Sequence, residues 1–207
     1  MAMPELDVLN EMRELTPVEL FGEWLPQLMD DIMPAIAPAF AWLLENIEVA
    51  ISIKLDDHGW TIKLSESGLE VEEGLKEDAL VTMVVSEKDF MGILRGERKM
   101  AMMPPGEEPV DVTTFPEMVR QNIEILKGIE AVLLLKLEDP EKGDLVATVK
   151  FAGPMKEQPD IEVVVAQDVL EDMASGALDP AAAFILQGKV QVEGDVNLLM
   201  KLAMMMM

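Results

Sequence analysis

The chain has 207 residues, half of them hydrophobic, enough to bury one large core or two compact ones. Forty acids against 16 bases leave a net charge of −24. That charge argues against nucleic acid, which is held by Lys and Arg, and against adhesion to anionic membranes, leaving open only transient contact through a local apolar patch. The absence of cysteine excludes disulfides and thiolate chemistry.

The N-terminal stretch MAMPELDVLNEMREL has no basic segment ahead of an apolar one, so no signal peptide is expected. The apolar segment from Pro34 to Leu44 contains two prolines and falls well short of the ~20 residues of a membrane span. A soluble, cytoplasmic protein is the expectation, with the acidity serving colloidal stability.

Helical segments are expected over about 17–45 and 115–128, each leading into a strand. In the first strand Ile47, Val49, Ile51, Ile53 and Leu55 alternate with Glu48, Ala50, Ser52 and Lys54, which predicts one buried and one wetter face. Asp56-Asp57-His58-Gly59 reads as a hairpin turn into Trp60, Ile62 and Leu64. Short strands near Leu69–Glu72 and Leu80–Val85 complete a meander. Ser86, followed three residues later by Asp89, predicts an N-capped helix that stops near Gly96. The segment Met100 to Val112 has the proline and acid content of a connector.

This order then recurs. NIEVAISIKLDD from Asn46 lies over GIEAVLLLKLED from Gly128 at a shift of 82 positions, and VVSEKDFMGILRGE from Val84 lies over VVAQDVLEDMASGA from Val164 at a shift of 80. The second copy is expected to run through strands 129–137, 145–151 and 161–165 and a helix 167–175 stopped by Gly176. In its first strand Val132 and Leu134 replace Ala50 and Ser52, so both faces become apolar; either protein covers both, or one lines a cavity or a contact with the other copy. Only the second copy continues. Asp179-Pro180 is expected to open a helix over 181–187, Gly188 to end it, 189–193 to form a strand, and Gly194-Asp195 to launch a final helix. Between Val196 and Met207 only Asn197 and Lys201 are clearly polar, so that helix must pack on several sides or meet a ligand or partner.

No catalytic set stands out. The single histidine, His58, sits in a turn-like sequence, and a metal set has no second histidine to draw on. The serines lie in no Gly-x-Ser-x-Gly elbow, and neither nucleotide-binding glycine pattern is present. A non-enzyme without a cofactor is expected.

The stretch from Gly176 to Leu202 resembles the sterol carrier protein 2 family of lipid-binding domains. The likeness is carried by Gly-x-x-Asp-Pro at Gly176–Pro180, Ala183-Phe184, Gly188-Lys189-Val190-x-Val192-x-Gly194-Asp195, and the Leu-Leu-Met-Lys-Leu helix; the meander and Gly59–Leu64 (GWTIKL) are similar too. The resemblance implies an α+β fold of two modules, 1–104 and 105–207, each a curved, mostly antiparallel sheet with helices on one side. The first lacks the C-terminal strand and helix. It also implies non-catalytic carriage of a lipid, fatty acyl chain or sterol-like molecule in an apolar tunnel beneath the last helix. The residues expected to line it are Phe151, Val165, Phe184, Ile185, Leu198, Leu199, Met200, Leu202 and Met204. The alternative is an accessory module whose apolar C-terminal helix binds a second subunit or an enzyme partner.

Overall fold

The computed structural model describes residues 7–31, 48–65, 68–98, 115–178, 183 and 189–204. The connector 100–112 and the expected helix 181–187, apart from Ala183, lie outside them. The fold is α+β and divides into two compact units, one of residues 1–79 and 85–98, the other of residues 80–84 and 99–207. The expected module boundary at 104/105 lies outside the described residues.

The first unit begins with α1 (Asp7–Glu14) and α2, which opens at Pro17–Glu19. A capping box sets the start of α2: the Thr16 hydroxyl accepts from Glu19 N at 3.3 Å, while Thr16 N donates to the Glu19 carboxylate at 2.8 Å. The helix passes through a π-helical turn, Leu20–Trp24, and continues to residue 31. The wide turn ends two residues before Pro26, which has no N–H for the Gly22 carbonyl. It also turns Leu20 and Phe21 inward, where Phe21 stacks on Trp60 at 5.0 Å and tilts against Phe90 at 5.8 Å.

Strands β1 (Val49–Leu55), β2 (His58–Ser65) and β3 (Gly68–Glu73) form an antiparallel meander in the order β3-β2-β1. The β1–β2 turn is two residues long, with Asp56 at φ 49°, a left-handed conformation aspartate tolerates. Gly59 therefore lies in the strand rather than the turn, and an added Cβ there would stand 2.8 Å from the Leu75 side chain.

The expected split into dry and wet faces is reversed at the centre of β1. Ser52 and Thr61, paired across the strands on the polar face, are fully buried, whereas Ile51 on the apolar face is 41% exposed. The cause is the segment after β3. Thr61 Oγ1 donates to the Gly74 carbonyl at 2.8 Å, Lys76 N donates to Ser52 Oγ at 3.2 Å, and the two hydroxyls are 2.8 Å apart. A tightly hydrogen-bonded chain segment thus seals the polar face.

Helix α3 (Glu87–Leu94) follows Val85 and is capped as the sequence predicts: Asp89 N donates to Ser86 Oγ at 3.1 Å, and Gly96 ends it at φ 73°. Asp89 is buried against Arg98, whose guanidinium lies 3.0 Å away.

The second unit has strand order β4-β6-β5-β7-β8, with β4 (Val81–Val85), β5 (Val132–Glu138), β6 (Leu145–Phe151), β7 (Ile161–Ala166) and β8 (Val190–Gly194). The β5–β6 and β7–β8 pairs are antiparallel, and β5–β7 is parallel. Helix α4 (Phe115–Lys127) precedes β5, α5 (Gln167–Ala174) follows β7, and α6 (Val196–Met204) follows β8. Helix α5 begins at 167 and is followed by Gly176 at φ 74°, as the sequence predicts.

Candidate apolar binding site

Pairing registers stack one face of the second unit's sheet into uninterrupted apolar rows. Across β6, β5, β7 and β8 these run Leu145–Leu137–Val165–Val190, then Ala147–Leu135–Val163–Val192, then Val149–Leu133–Ile161–Gly194. Beyond them Phe151 lies beside Ala131, to whose carbonyl it donates its N–H at 2.9 Å. The rows follow from period-2 alternation kept in phase over four strands. Thr148, Leu134, Glu162 and Glu193 form a mixed row on the reverse face, alongside Lys136, Val164 and Gln191. The two-sided apolar reading of β5 therefore holds only in part: Val132 is buried there and Leu134 partly buried.

Burial is uneven across the apolar face. Leu137, Leu145, Ile161 and Val165 are buried, while the central Leu133, Leu135 and Val149 are only partly so. At the Phe151 end, Ile129, Ala131 and Phe151 form a buried cluster. Packed against it are Leu198 and Leu202 from α6, Leu126 from α4, Leu133 and Val149 from the sheet, and Val81 from β4.

The orientation of α6 is fixed by the two residues that precede it, Gly194 and Asp195. Gly194 has φ 103°, and a Cβ built there would lie 2.0 Å from the Asp160 carbonyl oxygen, so no other side chain fits without moving backbone. Asp195 N donates to that same carbonyl at 3.0 Å. The Asp195 carboxylate accepts from Asn197 N at 3.0 Å and Leu198 N at 3.2 Å, an N-cap that starts the helix. Asp160 is anchored in turn: it accepts from Val132 N at 2.8 Å and from Lys156 Nζ at 2.7 Å. The Lys156 ammonium first, and the Val132 N–H second, hold its carboxyl below the ordinary aspartate range. Starting at Asp195, the helical period turns Leu198 and Leu202 toward the sheet and leaves Val196 and Met200 outside, 53% and 59% exposed.

Of the residues expected to line a cavity, Phe151, Leu198 and Leu202 come together in this cluster. Val165 is buried on the same sheet face, and Leu199 is partly buried. Met200 sits on the outer side of α6. Phe184, Ile185 and the Met204 side chain lie outside the described residues. Sequence reasoning missed Leu126, Ile129, Ala131, Leu133 and Val149, although the alternation at 129, 131 and 133 carries part of that signal. It also missed Val81, which no local pattern marks. Among the described residues no group of acids and histidine is placed to hold a metal, and no helix is long and apolar enough to cross a membrane. His58 is exposed and stacks on Trp60 at 5.9 Å.

Residues 117–207 match the SCP-2 sterol transfer family. The match covers α4 through α6 and so contains most of the apolar cluster. Among solved structures, the chain is similar to sterol carrier protein 2-like 2 of Aedes aegypti (21% identity, 44% of this chain and 97% of that one, TM-score 0.30). It is also similar to sterol carrier protein domain 2 of Helicoverpa armigera (22% identity, 48% and 89%, TM-score 0.32). A ubiquinone synthesis protein described as UbiJ-SCP2 is aligned over 93% of both chains, at 10% identity and TM-score 0.26. At these TM-scores the likenesses carry no structural inference. No match was found among curated proteins.

Proposed function

We propose that the second half of the chain binds a hydrophobic ligand, a lipid, fatty acyl chain or sterol-like molecule, between the apolar sheet face and α6, without catalysing a reaction. The observation that carries this reading is the partial burial of Leu133, Leu135 and Val149 on an apolar face whose Leu137, Leu145, Ile161, Val163 and Val165 are buried, beside Phe151, Leu198 and Leu202. A ligand lying there removes its own apolar surface and theirs from water, at about 0.8 kcal/mol for each methylene buried. The family match over residues 117–207 supports the same chemistry. We further propose that the chain is a tandem of two such modules, 1–104 and 105–207. In support, α3 and α5 lie 80 positions apart and both end at a glycine of φ 73–74°. The test is displacement of a fluorescent acyl probe from delipidated protein, with Leu198→Asp as the disrupted variant. Saturable binding by the wild type that the variant loses is expected; no binding by either sinks the proposal.

A second reading is favoured by one observation, the exposed pair Val196 and Met200 one turn apart on the outer side of α6. In that reading α6 docks on a second subunit or an enzyme partner. Val196→Ser/Met200→Ser then abolishes a concentration-dependent oligomer while probe binding persists. A monomer at all concentrations, with no co-purifying partner, counts against it.

A further inference from the structure

In the first unit the β1–β2 hairpin is followed by β3, which pairs with the outer edge of β2 from Trp60↔Glu73 to Ser65↔Gly68. The corresponding hairpin of the second unit, β5–β6, is followed by irregular chain over 152–160. The edge of β6 that a third meander strand would occupy is paired instead with β4. Strand β4 comes from the first half of the chain. Residues 80–84 belong to the second unit, although the residues on both sides of them, up to 79 and from 85 to 98, belong to the first. They also lie outside the 117–207 match. The strand brings a side chain to the candidate site: Val81 packs on the cluster of Ile129, Ala131 and Phe151. Met83 shares its face by alternation.

From these observations we infer that β4 is a donated strand: the first half of the chain completes the sheet and one wall of the apolar site in the second half. This gives the first half, which among the described residues has no closing strand and helix of its own, a function other than carriage. It also closes a hazard. β6, LVATVKF, is an apolar strand whose one charge is Lys150, and an uncovered edge of that kind recruits other chains. The filling of an open edge by an added strand is the same physics as recognition of an extended peptide. The ligand arm of the following test rests on the proposed function; the pairing arm does not.

Both arms use the full-length chain. Met83→Pro removes a backbone donor from β4 and disrupts its pairing. The β6 amides are then expected to exchange with deuterium at least ~10-fold faster, signifying loss of a strand partner. Acyl-probe affinity is expected to fall by a similar factor. Val81→Ala leaves the backbone intact, so β6 protection stays at the wild-type level while probe affinity falls about 3- to 10-fold for the partly buried carbons removed. In the unaltered protein, the amides of Val81–Val85 and of β6 are expected to open together in native-state exchange, a measurement that stands even if the proline variant does not fold. Independent opening of β4 and β6, or unchanged β6 protection in a folded Met83→Pro protein, overturns strand donation. Full probe affinity in both variants overturns the contribution to the site. A wild-type protein that binds no probe removes the proposed function while the exchange result still decides the strand.

Discussion

Replacing Gly194 with alanine puts a methyl carbon 2.0 Å from the Asp160 carbonyl oxygen, 2.9 Å from its carbonyl carbon and 3.1 Å from Ile161 Cα. All three are backbone atoms, so no side-chain rotation relieves the contact. At φ 103° the alanine is also in a region L-residues rarely occupy. Such strain costs about 1–3 kcal/mol, and overpacking a filled site costs about 1–3 kcal/mol more. The sum, about 2–6 kcal/mol, is a large share of the roughly 5–15 kcal/mol that holds a domain folded. The easiest relief is to lift the end of β8 off Ile161 and break the Asp195 N–H to Asp160 bond, which frees α6. In a chain of this size about 4 kcal/mol corresponds to a melting shift of roughly 12 °C. Gly176 is the internal control: its φ is 74°, but a Cβ there meets nothing within 4 Å. Gly176→Ala carries only the left-handed strain, about 1–2 kcal/mol. Differential scanning calorimetry of the two variants, with deuterium exchange on α6, separates the clash from the strain. Melting temperatures within ~2 °C of each other, with α6 equally protected, refute the reasoning that Gly194 positions the helix.

Three further outcomes follow from side-chain environments. Ala166 precedes α5 at φ −76°, ψ 147°, nearly the backbone of the Ser86 cap of α3, but offers no side-chain acceptor. Ala166→Ser is expected to stabilise the protein by about 1 kcal/mol in urea unfolding, and a destabilisation would show that the site is not cap-like. Arg98→Met strands the buried Asp89 carboxylate without its guanidinium partner and is expected to cost about 3 kcal/mol; a change below ~1 kcal/mol would mean water replaces the arginine. Asp160, whose folded-state carboxyl is held below its ordinary range, stabilises the fold above its unfolded value near pH ~4, and that contribution is lost as pH falls through the lower folded value. Urea midpoints measured from pH 5 down to 2 are expected to fall less steeply in Asp160→Asn than in the wild type. Identical slopes would remove Asp160 from the acid response.

What could be read from the sequence is what neighbours in the chain decide. The β1–β2 hairpin, the Ser86–Asp89 cap, the stop at Gly96, and the Gly194-Asp195 launch of α6 are all set within a few residues, and each stands as expected, save that His58 and Gly59 fall in β2 rather than in the turn. The apolar face of β5 is legible for the same reason, since alternation needs no partner. Long-range placement was not legible. Ser52 and Thr61 look like wet-face residues until the segment after β3 closes over them. The exposure of Ile51 is equally non-local. On α6 the sequence shows apolar residues nearly all round, and only the cap at Asp195 determines that Leu198 and Leu202 face inward while Met200 faces out. Val81 is the extreme case. It reaches the Phe151 cluster because β4 joins a sheet remote in sequence, and nothing in VTMVV specifies which edge that strand will fill.

The central claim is that an apolar ligand lies between the sheet and α6, and it is tested most directly by isotope-filtered nuclear Overhauser spectroscopy. Delipidated, methyl-labelled protein is loaded with an unlabelled saturated fatty acid, and contacts from its methylenes to protein methyl groups are recorded. The account predicts contacts to Leu133, Leu135, Leu198 and Leu202 and to Val81 across the cluster. Contacts confined to Val196 and Met200 on the outer side of α6, or none at saturating ligand, would contradict it.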